Sequence, residues 1–265
     1  MTKRRYLTIS KRQKFVLMTL FLTLGLFASQ NIIVYEARII LVFALSFLAA
    51  LGLFVFLYKD IKGTFWWPLV ILPFFFTLSF GFFYSLLPAR FLTRLILSTL
   101  FAVGFYALYL SHNIYAVAGI RTIQLLNAAH SVGFLLTLVA HFFLINVIFS
   151  LHLIPPLVFF LVFLISFLFI LPVLWSIKLE QGISRTVFSF TMMLALVIAE
   201  LGLVLNFWPV TPVVAALFLS GNFYTFVGLS QVWLERRVFK STMWEYVGVA
   251  IIVFLVLVSQ TKWGG

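Results

Sequence analysis

Long apolar runs, each close to 20 residues and separated by short polar or proline-containing segments, follow one another along almost the whole chain. A run of about 20 apolar residues is long enough to cross the hydrocarbon core of a bilayer as an α-helix. The pattern therefore predicts an all-α integral membrane bundle of about nine transmembrane helices, with eight also compatible. The predicted spans are residues 15–35, 38–58, 65–87, 91–111, 123–150, 153–176, 185–207, 211–233 and 243–260.

These spans leave room for three segments only: a basic N-terminal segment of residues 1–14, a single transmembrane domain of residues 15–260 and a short tail of residues 261–265. Hydrophobic residues make up 64% of the chain and charged residues 9%, with a mean hydropathy of +1.20, so we expect no soluble domain. We interpret the first span as a retained anchor, because its apolar run continues past Ser29 to Val34. The absence of cysteine excludes disulfides and thiolate sites.

The net charge of +12 is explained by membrane topology rather than by a nucleic-acid partner. If the loops alternate between two sides, the side of the N-terminus collects 14 of the 18 Lys and Arg residues, namely Lys3, Arg4, Arg5, Lys11, Arg12, Lys14, Lys59, Lys62, Arg121, Lys178, Arg185, Arg236, Arg237 and Lys240. The other side has Arg38, Arg90, Arg94 and Lys262. The positive-inside rule then predicts a multi-pass protein of the cytoplasmic or plasma membrane, with its N-terminus in the cytoplasm and its C-terminus outside. We expect the basic cluster in residues 3–14 to contact anionic lipid headgroups.

All seven tryptophans fall at predicted span ends, where the indole ring is accommodated at the headgroup level. We predict that they are membrane-interface anchors arranged in two belts about 30 Å apart. Those at cytoplasmic ends are Trp66, Trp67, Trp175, Trp233 and Trp244, and those at exterior ends are Trp208 and Trp263.

Glu200 is a carboxylate well inside a predicted span. A charge at that depth costs about 2.5–3.5 kcal/mol on insertion scales, so it normally faces the bundle interior and has a partner. We predict that Glu200 faces inward and pairs with His141 or Arg94, which lie in the same half of the bilayer. A pair with His141 would suit proton coupling, whereas an ion pair with Arg94 would favour a structural role. Two alternatives stay open: Arg94 snorkels to the interface, and Glu200 serves packing alone.

Polar side chains also recur on one face of the fifth span. His130 and His141 are eleven residues apart and return to within about 20° of each other on a helix, with Thr137 between them and Asn127 near the same edge. Lipid cannot satisfy such a stripe, so it faces protein or a water-filled cavity. We interpret it either as part of a proton or substrate path or as a set of interhelical hydrogen bonds between neutral groups. Two histidines about 16 Å apart on one helix cannot serve one haem iron.

No motif assigns a chemistry to the chain. It has no HExxH, nucleophile elbow, Walker glycine loop or paired carboxylates within one span, so we predict no catalytic residue, no metal and no cofactor. Three functions remain. The first is a transport or permease-like protein with a polar path near Glu200 and the histidine stripe. The second is a structural or accessory subunit, with protein partners or as a homo-oligomer, and the third is a membrane enzyme acting on lipid or a lipid-linked substrate through groups such as His141, Glu200 and Arg94. The transport function is favoured, because ionisable residues on two spans lie at matching depth.

Overall fold

The computed structural model describes residues 10–32, 34–58, 66–88, 90–118, 124–236 and 239–262. Within these ranges the chain forms helices and no strand, which confirms the predicted all-α class. The helices are α1 (Lys11–Ser29), α2 (Tyr35–Leu57), α3 (Trp67–Leu86), α4 (Phe91–Ala118), α5 (Leu126–Ser150), α6 (Pro155–Lys178), α7 (Arg185–Asn206), α8 (Pro212–Leu234) and α9 (Lys240–Gln260). Eight of them, α2 to α9, are long and apolar enough to cross a membrane. The chain is an integral, multi-pass membrane protein.

Several predictions fall on parts of the chain outside the described residues. They concern residues 1–9 of the basic N-terminal segment, the loop cations Lys59, Lys62, Arg121 and Arg237, and the anchor Trp263. The described part of the basic segment opens α1, where Ser10 caps the helix: its hydroxyl accepts from the Gln13 N–H, and the Gln13 side chain accepts from the Ser10 N–H. This reciprocal pair is a capping box, so α1 begins at a defined residue.

The fourth helix is longer than predicted. The predicted span ended at residue 111, but α4 continues to Ala118 because residues 110–118 contain no glycine, proline or charged residue that would end it. Seven further residues add about 10 Å of helix. They carry His112 and Tyr115 into the bundle, where both side chains are buried.

Short connections make consecutive helices antiparallel. Odd-numbered helices therefore begin, and even-numbered helices end, at one face of the bundle, which we call the amino-terminal face; the opposite side is the far face. Helix α5 packs against α3, α4, α6 and α8, and α3 packs against α2, α4, α5 and α6. These two helices form the centre, with α1 packed on α2 and α4, α7 on α6 and α8, and α9 on α8.

Phenylalanine rings fill the space between α3, α4 and α5 towards the far face. Phe83 and Phe143 stack with centroids 4.1 Å apart, and Phe80 meets Phe143 edge-on at 4.8 Å. Phe101 of α4 joins this cluster 5.4 Å from Phe80. Aromatic pairs of this kind are worth about 0.5–1.5 kcal/mol beyond their burial. The rings close the middle of the bundle in its far half.

Two glycines of α8 allow α9 to approach closely. A Cβ added at Gly221 would lie 2.5 Å from Val253 Cγ1, and one added at Gly228 would overlap the Tyr246 ring. Between the two glycines, the Thr225 hydroxyl reaches the Tyr246 carbonyl at 3.2 Å. Small residues seven apart thus serve helix packing, as is common in membrane bundles.

Gly221→Ala is expected to destabilise the protein by about 1–3 kcal/mol, because the new methyl group overlaps the stiff, β-branched Val253. The measurement is the thermal unfolding midpoint in detergent. Gly248→Ala in α9 is the matched control, since nothing lies within 4 Å of a Cβ at that position. Equal midpoints for the two variants would contradict close packing at Gly221.

Candidate functional site

A narrow cavity, with room for about one water molecule, lies between α3, α4, α5, α6 and α8 in the half of the bundle next to the amino-terminal face. We call it the central pocket. Its polar lining consists of His112, Tyr115, His130, Thr137, Ser176 and Gln231. All of them except Thr137 lie towards the end of their helix that faces the amino-terminal side. The pocket reaches from that side to Thr137, near the middle of α5.

His130 is oriented by a backbone carbonyl at the end of α6. Because α6 ends at Lys178, the Ser176 carbonyl lies in its last turn, where carbonyls lack a helical N–H partner. His130 Nε2 lies 2.8 Å from that oxygen. A carbonyl only accepts, so Nε2 carries the hydrogen and Nδ1 of the neutral ring is left as an acceptor. Among the described residues, His130 Nδ1 is buried and has no hydrogen-bond partner.

Tyr115 and His112 form the wall contributed by α4. The Tyr115 hydroxyl donates to the Ala129 carbonyl at 2.8 Å, and its ring lies 5.4 Å from the His130 ring. His112 Nδ1 donates to the Leu108 carbonyl at 2.9 Å, so its Nε2 is an acceptor. The wall is aromatic and polar at the same time.

Gly133 makes the position of Tyr115 possible. A Cβ at residue 133 would lie 2.6 Å from the Tyr115 hydroxyl oxygen. The absence of a side chain on α5 therefore lets the Tyr115 hydroxyl reach the α5 backbone beside His130.

A wider space meets the central pocket at His130. This lateral groove, of about 1020 Å³ with its open mouth, lies between α5, α8 and α9 and shares His130, Phe134 and Gln231 with the pocket. Its other polar side chains are Asn127, Ser131, Tyr224, Glu235 and Tyr246. Leu135, which also lines it, is 58% exposed, so the groove is open at the side of the bundle.

His141, at the other end of the predicted stripe, is not part of this site. Its side chain is 0% exposed, with Nδ1 2.9 Å from Ser220 Oγ on α8 and Nε2 3.3 Å from Ser166 Oγ on α6. Both nitrogens are therefore engaged, and the ring packs 4.4 Å from the Phe223 ring. The His141 clamp, as we call His141 with these two serines, fits the interpretation as interhelical hydrogen bonds. The stripe divides: His130 and Thr137 line the central pocket, and Asn127 lines the lateral groove.

The structure corrects the prediction of an inward-facing, paired Glu200. The side chain is exposed and makes no hydrogen bond or ion pair with any described residue. Helix α7 packs on its neighbours through a stripe that includes Leu194 and Ile198, and Glu200 lies about 200° around the helix from Ile198. The side of α7 that carries Glu200 therefore points away from the bundle.

The expected partners of Glu200 are engaged elsewhere. Arg94 Nη1 donates to Asn31 Oδ1 at 2.9 Å, at the far face where α1 ends. His141 is held by its two serines. The enzyme-like combination of His141, Glu200 and Arg94 is consequently not assembled in the described chain.

Four of the predicted anchors lie at helix ends next to the amino-terminal face, at or near lipid-accessible positions. Trp66 and Trp67 open α3, Trp233 lies one residue before the end of α8, and Trp244 is in the first turns of α9. Trp66, Trp233 and Trp244 are exposed and Trp67 is partly buried. Their arrangement into a belt stays a prediction.

Trp175 and Trp208 contact protein instead. Trp175 is only 3% exposed, lines the central pocket and donates from Nε1 to the Glu180 carbonyl at 3.0 Å, so its assignment as a membrane-interface anchor is corrected. Trp208 Nε1 donates to Thr261 Oγ1 at 2.8 Å. This bond ties the turn after α7 to the end of α9.

The sequence analysis missed four pocket residues: His112, Tyr115, Ser176 and Gln231. The first two could have been found from the lack of a helix-breaking residue before Ala118. The other two are single polar residues near helix ends, a pattern that is also typical of interface positions. Among the described residues, no three His, Asp or Glu side chains lie close enough together to hold a metal ion.

Comparison with known proteins assigns the chain to a family. No curated protein and no solved structure matches the chain. Residues 22–260 match a protein family described only as of unknown function, and this stretch contains every residue of the central pocket and the lateral groove. The chain therefore belongs to the family of proteins of unknown function DUF5656.

Proposed function

We propose that the protein is a transport-type, permease-like membrane protein that binds a small polar or amphipathic solute where the lateral groove meets the central pocket. The observation that carries this proposal is the one-sided arrangement of the bundle. A cavity lined in part by polar side chains extends from the amino-terminal face to Thr137, whereas phenylalanine rings and the His141 clamp fill the middle of the bundle beyond it. A site near the bilayer midplane that opens to one side at a time is the basis of alternating access.

The lining of the pocket indicates the kind of solute. His130 Nδ1 is an unsatisfied acceptor, and the Gln231 amide supplies both a donor and acceptors. Phe134 and Trp175 add apolar surface beside these groups. A solute with a hydroxyl or amine donor and an apolar part complements this lining, and such a molecule could enter from the leaflet through the lateral groove.

The same proposal gives the protein an orientation. The loops on the amino-terminal side contain 14 of the 18 Lys and Arg residues, so we place the amino-terminal face in the cytoplasm. The central pocket then opens towards the cytoplasmic side in this conformation.

Single-cysteine labelling tests the one-sided opening, because the chain contains no cysteine of its own. Gln231→Cys is expected to react with a membrane-impermeant maleimide in inside-out vesicles and not in right-side-out ones. Ser220→Cys, at the buried His141 clamp, is the control and is expected to stay unlabelled from both sides. Labelling of Gln231→Cys from the exterior alone would overturn the orientation. Equal labelling of the two positions would overturn the one-sided opening.

Transport itself is tested with proteoliposomes incubated in a small-molecule extract and analysed by mass spectrometry. Solutes enriched by the unmodified protein are expected to disappear with Val173→Trp, which fills the pocket with a larger side chain. Leu217→Trp is the matched control, since Leu217 is exposed and lines neither the pocket nor the groove. Identical profiles for protein-free liposomes and the unmodified protein would refute a transport function.

A further inference from the structure

A separate groove lies at the far face, between α2, α3 and α5. It has a volume of about 590 Å³ with its open mouth and shares no lining residue with the central pocket or the lateral groove. We call it the far-face groove. Its lining contains one charged residue, Arg38, and two hydroxyl groups, from Tyr35 and Ser85; the remaining lining is aliphatic or phenylalanine.

Arg38 is a cation without an anion among the described residues. Its guanidinium makes no hydrogen bond to any of them, and its Nε is buried and unpartnered. The guanidinium carbon lies 5.6 Å from the centroid of the Tyr35 ring. By contrast, Arg94 at the same face is bonded to Asn31. A guanidinium presents five N–H donors in a planar fork that matches a carboxylate or a phosphate, so Arg38 has most of its binding capacity unused.

The position of Arg38 relates the groove to the membrane. The residue lies in the first turn of α2, a helix long and apolar enough to cross a membrane, so we expect it at the level of the lipid headgroups. Val42 lies one turn further along the same face of the helix. Phe82 of α3 and Val147 of α5 line the groove opposite them. The groove therefore has a cationic upper end and an apolar lower part, like the two parts of an amphiphile.

We propose that the far-face groove is a binding site for an anionic amphiphile, with a phosphate or carboxylate headgroup on Arg38 and a hydrocarbon chain along Val42, Phe82 and Val147. This site goes beyond the proposed transport function, because it lies at the opposite face from the central pocket. A bound amphiphile would contact α2 together with both central helices, α3 and α5. Its occupancy is therefore expected to stabilise the folded bundle.

The test uses the full chain purified in a neutral detergent. Phosphatidylglycerol, oleate and, as an uncharged control, dioleoylglycerol are titrated in turn, with the thermal midpoint and native mass spectrometry as readouts. Arg38→Gln is expected to weaken binding of the anionic probe about tenfold or more, because a charge-assisted, fork-shaped contact is lost. Arg90→Gln is the matched control, since Arg90 is an exposed arginine near the same face that does not line the groove, and it is expected to leave binding unchanged.

The probes also distinguish the source of the anion. Binding of phosphatidylglycerol alone identifies a phospholipid site, binding of oleate alone a carboxylate site, and binding of both a site for the shared anionic head. If Arg38→Gln does not fold, Val147→Trp narrows the groove while keeping Arg38 and is likewise expected to weaken binding. Equal affinities of the unmodified protein and the folded variant would overturn the proposal. It would also be overturned if dioleoylglycerol bound as tightly as the anionic probes.

Discussion

His141→Ala is expected to lower the free energy of unfolding by about 2–5 kcal/mol. The imidazole is fully buried, bonds to Ser166 and Ser220 on two other helices, and packs on the Phe223 ring. Its removal leaves a cavity and deprives two buried hydroxyl groups of their interhelical partner. The measurement is equilibrium or thermal unfolding in detergent micelles.

Two controls isolate the contribution of the His141 clamp. Asn127→Ala changes a polar residue on the same helix that is exposed, and it is expected to stay within about 0.5 kcal/mol of the unmodified protein. Combining His141→Ala with Ser220→Ala should cost less than the sum of the two single changes, because the second removes a group already without its partner. If His141→Ala is as stable as Asn127→Ala, the clamp does not hold α5, α6 and α8 together.

The number and placement of the helices could be predicted from the sequence because the bilayer constrains both. Backbone polar groups must be satisfied within each span, so an apolar run of about 20 residues has few alternatives to a helix. Where the run continues without a helix-breaking residue, as in α4, the bilayer thickness alone does not say where the helix ends. The sequence therefore did not predict that α4 ends at Ala118, and the structure was needed to show it.

The histidine stripe shows why a shared helical face does not define a site. His130 and His141 point in nearly the same direction from α5 but lie about 16 Å apart along its axis. At the level of His130 the neighbour is the open end of α6, whose Ser176 carbonyl lacks a helical partner. At the level of His141 the neighbours are the serine hydroxyls of continuous helices. The groups that contact the stripe at each level belong to other helices, so the periodicity of α5 alone cannot predict them.

Glu200 shows the same limit for a single charge. The sequence predicted that Glu200 lies within a helix, as it does in α7, and a charge inside a membrane span normally has a buried partner. The rotation of α7 about its own axis was decided instead by its apolar stripe, which includes Leu194 and Ile198 and packs on α6 and α8. The packing contacts of this stripe, which run along the whole helix, determined the orientation of α7 more strongly than the one carboxylate did.

Glu200→Leu is expected to make membrane insertion of α7 more favourable by up to about 3 kcal/mol, because a lipid-facing acidic residue is replaced by one of the most favourable residues on the insertion scale. The measurement is the inserted fraction of α7 in a glycosylation-based assay. Glu200→Gln, which removes the charge and keeps the shape, is expected to give an intermediate gain. Ser189→Leu is the control, since Ser189 is another exposed polar residue of α7 but uncharged, and its gain should be clearly smaller.

The folded protein gives an independent test of the same arrangement. With Glu200 facing away from the bundle and unbonded to any described residue, Glu200→Leu should leave the unfolding midpoint of the purified chain unchanged or raise it. A clear loss of stability would contradict the outward position, because removal of a carboxylate is strongly destabilising where that carboxylate holds a buried partner. A gain in insertion together with an unchanged midpoint would establish that Glu200 is a charged residue on the outer surface of the bundle. The rotation of α7 about its own axis would then be determined by the apolar stripe alone.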